Sequence, residues 1–211
     1  MEAGSRPVGP GGGMSQQEHL RLRNERIETL RAFVSGLFDA RFNPGAWVLE
    51  VGCGHGHFLT DYARQHPTLQ CLGVDFCRDR IRRAERKLQR ARLANLRFLH
   101  GEAGEFFEAL PPDLRFQQIF ALFPDPWPKR RHRKHRLVSA DFLEQIARRS
   151  VPGAEFFFRS DALEYVQEVK SHLAGQLRWR TTSRSSLPVE TTTVFQQRAV
   201  RYDTVVAVLV N

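Results

Sequence analysis

From Pro44 onward the chain alternates short apolar runs with longer amphipathic stretches, and this alternation restricts the possible folds more than any other feature. The runs Trp47–Val51, Gln70–Val74, Leu96–Leu99, Gln118–Leu122 and Glu155–Phe158 are four or five residues long, the length of a buried strand. Helical patterns fit His57–Arg64, Arg78–Arg92, Gly104–Leu110 and Ala140–Arg149 between them. A strand–helix alternation of this kind predicts a mostly parallel sheet with helices on both faces, because each crossover helix must cover the sheet it leaves. A further helix from about Ala162 to Leu173 is followed by two short segments, Leu177–Thr182 and Thr204–Val210, with no helix-length stretch between them. These are expected to close the sheet as an antiparallel pair, giving seven strands in all.

Upstream, the first thirteen residues, MEAGSRPVGPGGG, offer almost no apolar side chain and are expected to be disordered; Met14 follows as an alternative start. Residues 14–43 read as a helical extension of one domain covering 14–211, with Leu20, Ile27, Leu30, Phe33, Val34 and Leu37 recurring largely at three and four and Arg21, Arg23 and Arg26 on the polar face. No stretch is apolar enough to span a bilayer and no secretory pattern opens the chain, so a cytoplasmic location is expected. Cys53, Cys71 and Cys77 lack the spacing of a zinc site or a disulfide framework and are read as free thiols. His55 and His57 have no third ligand at sensible spacing, so no metal is expected.

Charge is concentrated rather than spread. Of a net +9, the segment Arg78–Arg92 carries +6 and Lys129–Arg136 another +6, which leaves the rest of the chain at −3. Two such blocks are the footprint of a polyanion binder, although a solvated helix face and a charged loop would look the same in either block alone.

The first strand runs into Glu50-Val51-Gly52-Cys53-Gly54-His55-Gly56, with three glycines at alternate positions. Glycines admit close approach of backbone to a ligand, and the helix start that follows offers free N–H groups. The dinucleotide pattern GxGxxG is not met, because position 57 is His57. The second strand ends at Asp75, where a carboxylate can accept from two ribose hydroxyls or cap the next helix. After the third strand, Gly101-Glu102-Ala103 supplies an acid able to accept from an adenine amino group, or simply an acid at a helix start.

At the end of the fourth strand stands Phe123-Pro124-Asp125-Pro126-Trp127-Pro128-Lys129-Arg130-Arg131. Three prolines around one acid and one tryptophan make a stiff loop on the ligand-binding side of an open sheet. Asp125 can accept from the N1–H and amino group of a guanine, Trp127 offers a stacking surface, and Lys129, Arg130 and Arg131 offer contacts to phosphate.

The words LEVGCGHG and GVD resemble the first two motifs of class I S-adenosylmethionine-dependent methyltransferases, a Rossmann-like fold. The resemblance implies S-adenosyl-L-methionine as cofactor, with Glu50, Gly52, Gly54, Asp75, Glu102 and Ala103 around it and Asp125 at its reactive end. The longer word FPDPWPKRRHRKHRL is similar to the signature of bacterial tRNA (guanine-N7)-methyltransferases, whose target is a guanosine in the variable loop of tRNA. That resemblance implies Asp125 as the catalytic or base-orienting acid, Trp127, Lys129, Arg130 and Arg131 as substrate contacts, and a monomer or homodimer with tRNA as partner. It further implies substrate contacts from Asp161, which with Glu164 also reads as a capping box, and from Thr193 and Gln196. The last is a glutamate in the family's pattern, and a following family glycine is Ala199 here. Two alternatives stand beside this reading: an amino-group methyltransferase acting on RNA or DNA, suggested by Asp125-Pro126-Trp127, and a non-catalytic RNA-binding protein on the same scaffold, suggested by Gln196.

Overall fold

The computed structural model describes residues 15–36, 47–191, 199 and 201–210. The expectations for residues 1–13, for the first helical stretch beyond Gly36, and for Thr193 and Gln196 lie outside the described residues.

Helix α1 (Gln16–Ser35) starts where the Ser15 hydroxyl accepts from the Glu18 amide, and it buries Ile27, Leu30 and Val34 along one stripe. Then follow β1 (Trp47–Val51), α2 (His57–Gln65), β2 (Gln70–Asp75), α3 (Arg78–Ala91), β3 (Leu96–His100), α4 (Ala103–Ala109) and β4 (Phe116–Leu122). A 3₁₀ helix (Arg130–His135) leads to α5 (Ala140–Arg148), β5 (Ser150–Ser160), α6 (Leu163–Ala174), β6 (Trp179–Thr181) and β7 (Asp203–Leu209).

The strands form one seven-stranded sheet in the order β3-β2-β1-β4-β5-β7-β6. β1 pairs parallel with both β2 and β4, and β5 and β6 pair antiparallel with β7. The expected closing pair is therefore present, with β7 between β5 and β6. Because strand side chains alternate, Trp47, Leu49 and Val51 join the core under α1, α4, α5 and α6, whereas Val48 joins the core under α2 and α3. β1 is buried throughout, as a central parallel strand should be.

Two of the departures from the sequence-based pattern have local reasons. β5 begins at Ser150 rather than Glu155, because Phe116 pairs with Ser150 before the register shifts and Gln118 meets Glu155; the exposed Pro152-Gly153 bend between them, with Gly153 at φ 79°, disguises the early part as a turn. The basic run after β4 is a 3₁₀ helix without a single buried residue, so no apolar period announces it.

Candidate functional site

A cavity of about 330 Å³ opens at the carboxyl ends of β1, β2 and β4, the size of a small-molecule site. β1 lies between β2 and β4, so the turns following these three strands are neighbours. Val51, Gly52, Asp75, Phe76, Arg80, Gly101, Glu102 and Ala103 line one side; Phe123, Pro124, Asp125, Trp127, His135 and Leu137 line the other.

The turn after β1 is built by backbone. The Gly52 and Cys53 amides donate to the Val74 carbonyl at 2.8 and 3.1 Å. Gly52 holds φ +78°, and a Cβ placed there would meet nothing within 4 Å, so the missing side chain leaves room in the cleft. Gly56 holds φ +65° for a different reason: a Cβ there would lie 2.8 Å from Cε1 of buried Phe98 and 3.0 Å from Ala84 Cβ. This glycine lets α2 start close against β3 and α3.

Asp75 is 2% exposed and ties the two turns together, its carboxylate accepting from the Gly54 amide at 2.9 Å and the Cys77 amide at 2.8 Å. An Arg80 guanidinium nitrogen stands 3.8 Å away. An ionised carboxylate has roughly four acceptor positions, so Asp75 retains capacity for a ligand in the cleft it lines. Glu102 occupies the N-cap position of α4, yet its side chain makes no capping hydrogen bond there and borders the cleft instead.

On the opposite side the proline loop is held in an unusual backbone path. Phe123 and Trp127 sit at φ 50° and 42°, two of the three non-glycine residues with positive φ among those described. Bulky side chains in this region are strained, and the surrounding contacts must hold them there. The Phe123 amide donates to the Arg159 carbonyl at 2.7 Å, and the Phe123 ring meets Tyr202 edge-on. Trp127 lies 5.3 Å from the His135 ring and 5.8 Å from the His132 ring while remaining 37% exposed, so a flat surface is presented at the cleft mouth.

Arg136 anchors this loop from behind. It is buried, donates from Nε to the Pro126 carbonyl at 2.8 Å, pairs with Glu168 of α6, and stacks its guanidinium 4.8 Å from the Tyr165 ring centroid. Arg133 also pairs with α6, through Glu164. Two of the six basic residues in this run are therefore bound to α6, whereas Lys129, Arg130, Arg131 and Lys134 are exposed.

Of the sequence-derived site residues, the structure brings Gly52, Asp75, Glu102, Ala103, Asp125 and Trp127 to one cleft. Gly54 lies just behind it, holding Asp75. Glu50 shares the Val48 face of β1 and is 4% exposed; burial first and the Asp75 charge second push its carboxyl well above the usual range. Lys129, Arg130 and Arg131 stand on the outer side of the loop and Asp161 is exposed after β5, none of them lining the cleft. Phe76, Arg80, Phe123, His135 and Leu137 line it without having been singled out. Adjacency to the two motifs was the available signal for four of them; Arg80 needed the helical turn that carries it back to Asp75.

Burial and the charges of Arg83, Arg80 and Lys87 lower the His55 pKa, and burial with Lys87 lowers that of His57. No cluster of potential metal ligands occurs among the described residues. The cysteines are free, with burial pushing Cys53 well up and Cys71 up to about 12, shifts that favour the thiol over the thiolate. No helix among the described residues is long and apolar enough to cross a membrane.

Comparison with known proteins agrees with this geometry. Residues 45–208 match the family model described as "Putative methyltransferase". A tRNA (guanine-N(7)-)-methyltransferase of Syntrophotalea carbinolica is 37% identical over 152 residues, covering 72% of this chain and 64% of the relative, so the chain spans less than two thirds of that relative's length. One from Mycobacterium leprae is 30% identical over 181 residues, covering 81% of this chain and 79% of the relative. Among solved structures, an O-methyltransferase of Streptomyces achromogenes in complex with SAM superposes with a TM-score of 0.58 at 17% identity, covering 89% of this chain and 80% of that one, a likeness of fold. With the family model matched over most of its length, the chain belongs to the methyltransferase family that includes the tRNA (guanine-N(7)-)-methyltransferases.

Proposed function

We propose that this protein transfers a methyl group from S-adenosyl-L-methionine to N7 of a guanine in the variable loop of tRNA, working in the cytoplasm. The observation that carries the reading is the meeting, in one cleft, of the glycine turn and its two acids with the strained Asp125–Trp127 loop. The residues fit the cofactor. Asp75 has acceptor capacity for ribose hydroxyls, Glu102 is a carboxylate that caps no helix amide and borders the same cleft, and Gly52 leaves open space there. When bound, the cofactor supplies an electrophilic methyl on a sulfonium.

Guanine N7 carries an in-plane lone pair and needs no strong base, so the chain's task is positioning. Asp125 accepts from N1–H and the exocyclic amino group, turning N7 toward the donor. Trp127, held at the mouth beside His135, stacks on the base, and the anchored proline loop limits the error in approach. Lys129, Arg130 and Arg131, on the outer side of the same loop, take the adjoining phosphates.

The test is incubation of the protein with unmodified tRNA and methyl-labelled S-adenosylmethionine, followed by nucleoside analysis. Label in 7-methylguanosine is expected; label in a methylated amino group, or none with the cofactor bound, would overturn the reading. The Asp125→Ala variant should lose about ten- to hundredfold in transfer, since a hydrogen bond to a charged group is worth about 1.5–3 kcal/mol. Activity within threefold of wild type would reject the orienting role.

A further inference from the structure

α3 carries far more positive charge than its packing uses. Its buried side is Ile81 and Ala84, with Leu88 against the same core, while Arg78, Arg82, Arg86 and Arg90 are exposed at successive intervals of four. That spacing sets them in one slowly winding line about 18 Å long. Arg92 continues the line at the C-cap, and a shallow depression lies among Arg86, Gln89, Arg90 and Arg92. Like charges four apart on a helix destabilise it, and here three such pairs follow one another. Asp79, which pairs with Arg82, and Glu85 are the only acids on the helix.

The line has a direction. Arg78 opens α3 three residues after Asp75, and Arg80 of the same first turn lines the cleft, so the arginines begin at the site and lead away from it along the β2–β3 side of the sheet. The basic 3₁₀ helix follows β4, on the other side of β1. Two basic surfaces therefore flank the cleft, and only the latter adjoins the loop that carries Asp125.

We propose that the α3 arginine line is a track for RNA backbone outside the target nucleotide, gripping phosphates of the same substrate whose base enters the cleft. This rests on the functional reading above for the identity of the polyanion. Charge complementarity along a line, beside a depression lined by three arginines and Gln89 with no aromatic ring to stack a base, fits a phosphate backbone rather than a sequence-reading contact. The track positions the substrate and takes no part in methyl transfer.

The experiment is tRNA binding to the full chain by fluorescence anisotropy across a salt series, comparing wild type with R78Q/R86Q/R90Q. As a control, R31Q/R64Q/R148Q removes equal charge from exposed arginines already paired with acids on their own helices. Removing three phosphate contacts should flatten the slope of log K against log salt by about 2–3. Between 50 and 200 mM salt, wild type should then lose roughly 15–60-fold more affinity than the track variant. The control should keep the wild-type slope. An unchanged slope in the track variant, or an equal change in the control, overturns the track. So does a loss of binding to anionic phospholipid vesicles with the tRNA slope intact. Methylation of tRNA by wild type is assayed separately: if it is absent while the slope still flattens, the functional reading fails and the track stands.

Discussion

Replacing Arg136 by methionine tests the claim that the proline loop after β4 is held from behind. Met retains much of the side-chain volume, so the change removes interactions without opening a large cavity. Three are lost: the donation to the Pro126 carbonyl, the ion pair with Glu168 and the contact with the Tyr165 ring. Breaking a buried pair costs about 3–5 kcal/mol where the remaining charge is stranded. Glu168 retains 27% exposure and is partly rehydrated, which lowers the expected loss to about 2–4 kcal/mol. For a chain of this size that is a fall in Tm of roughly 5–15 °C. Urea and thermal unfolding followed by circular dichroism read it directly. Arg133→Gln, which removes a pair with side chains 37% and 56% exposed, should cost no more than about 1 kcal/mol. A loss below about 1 kcal/mol for Arg136→Met, or equal losses for the two variants, would refute the anchoring argument. At a temperature where both proteins are folded, Arg136→Met should also lower methyl transfer on the order of ten- to hundredfold, because the loop bearing Asp125 is no longer registered against α6.

Two further outcomes follow from the cofactor side of the cleft. Gly56→Ala combines a left-handed backbone with a methyl driven into Phe98 and Ala84, and should cost about 2–4 kcal/mol in a urea titration; a loss under 1 kcal/mol would mean that α2 is free to shift. Glu50 holds its proton more tightly folded than unfolded, so its contribution is favourable below the ordinary carboxylate range and is lost as pH rises toward its raised folded value. Glu50→Gln should therefore gain stability relative to wild type between pH 5 and pH 8, and parallel unfolding midpoints across that interval would show that Glu50 is not buried as described.

The order of elements and the glycine turn after β1 were legible because both depend on short-range chemistry. Apolar runs of strand length, glycines in sequence and an acid at a strand end carry their meaning within a few residues, and β1 begins and ends where the pattern placed it. The basic run after β4 was harder. Six cations in eight residues advertise phosphate binding, yet Arg136 meets Glu168, thirty-two residues away, and only the packed structure distinguishes an anchor from a ligand contact. Glu50 shows a different gap between word and structure. The word that contains it points to a ligand, while the two-residue strand period turns its side chain into the core beside Val48. Phe123 and Trp127 adopt left-handed backbone that no local propensity favours; the path of Phe123 comes from Arg159 and Tyr202, which arrive late in the chain, while Trp127 meets His132 and His135 of the following 3₁₀ helix.

The position of β7 has a consequence for how the molecule is made. β6 leaves the ribosome before β7, yet β7 lies between β6 and β5, so β6 has no neighbour in the sheet until its successor has been synthesised. The parallel strands that frame the cleft face no such delay, since β1 to β4 find every partner among β1 to β5, all made before β6. Until β7 arrives, the outer edge of β5, with Phe156, Phe157 and Phe158, is a long unsatisfied edge in a nascent chain. Biogenesis thus divides the protein into an early part that can shape the cleft and a late part that seals its most aggregation-prone border.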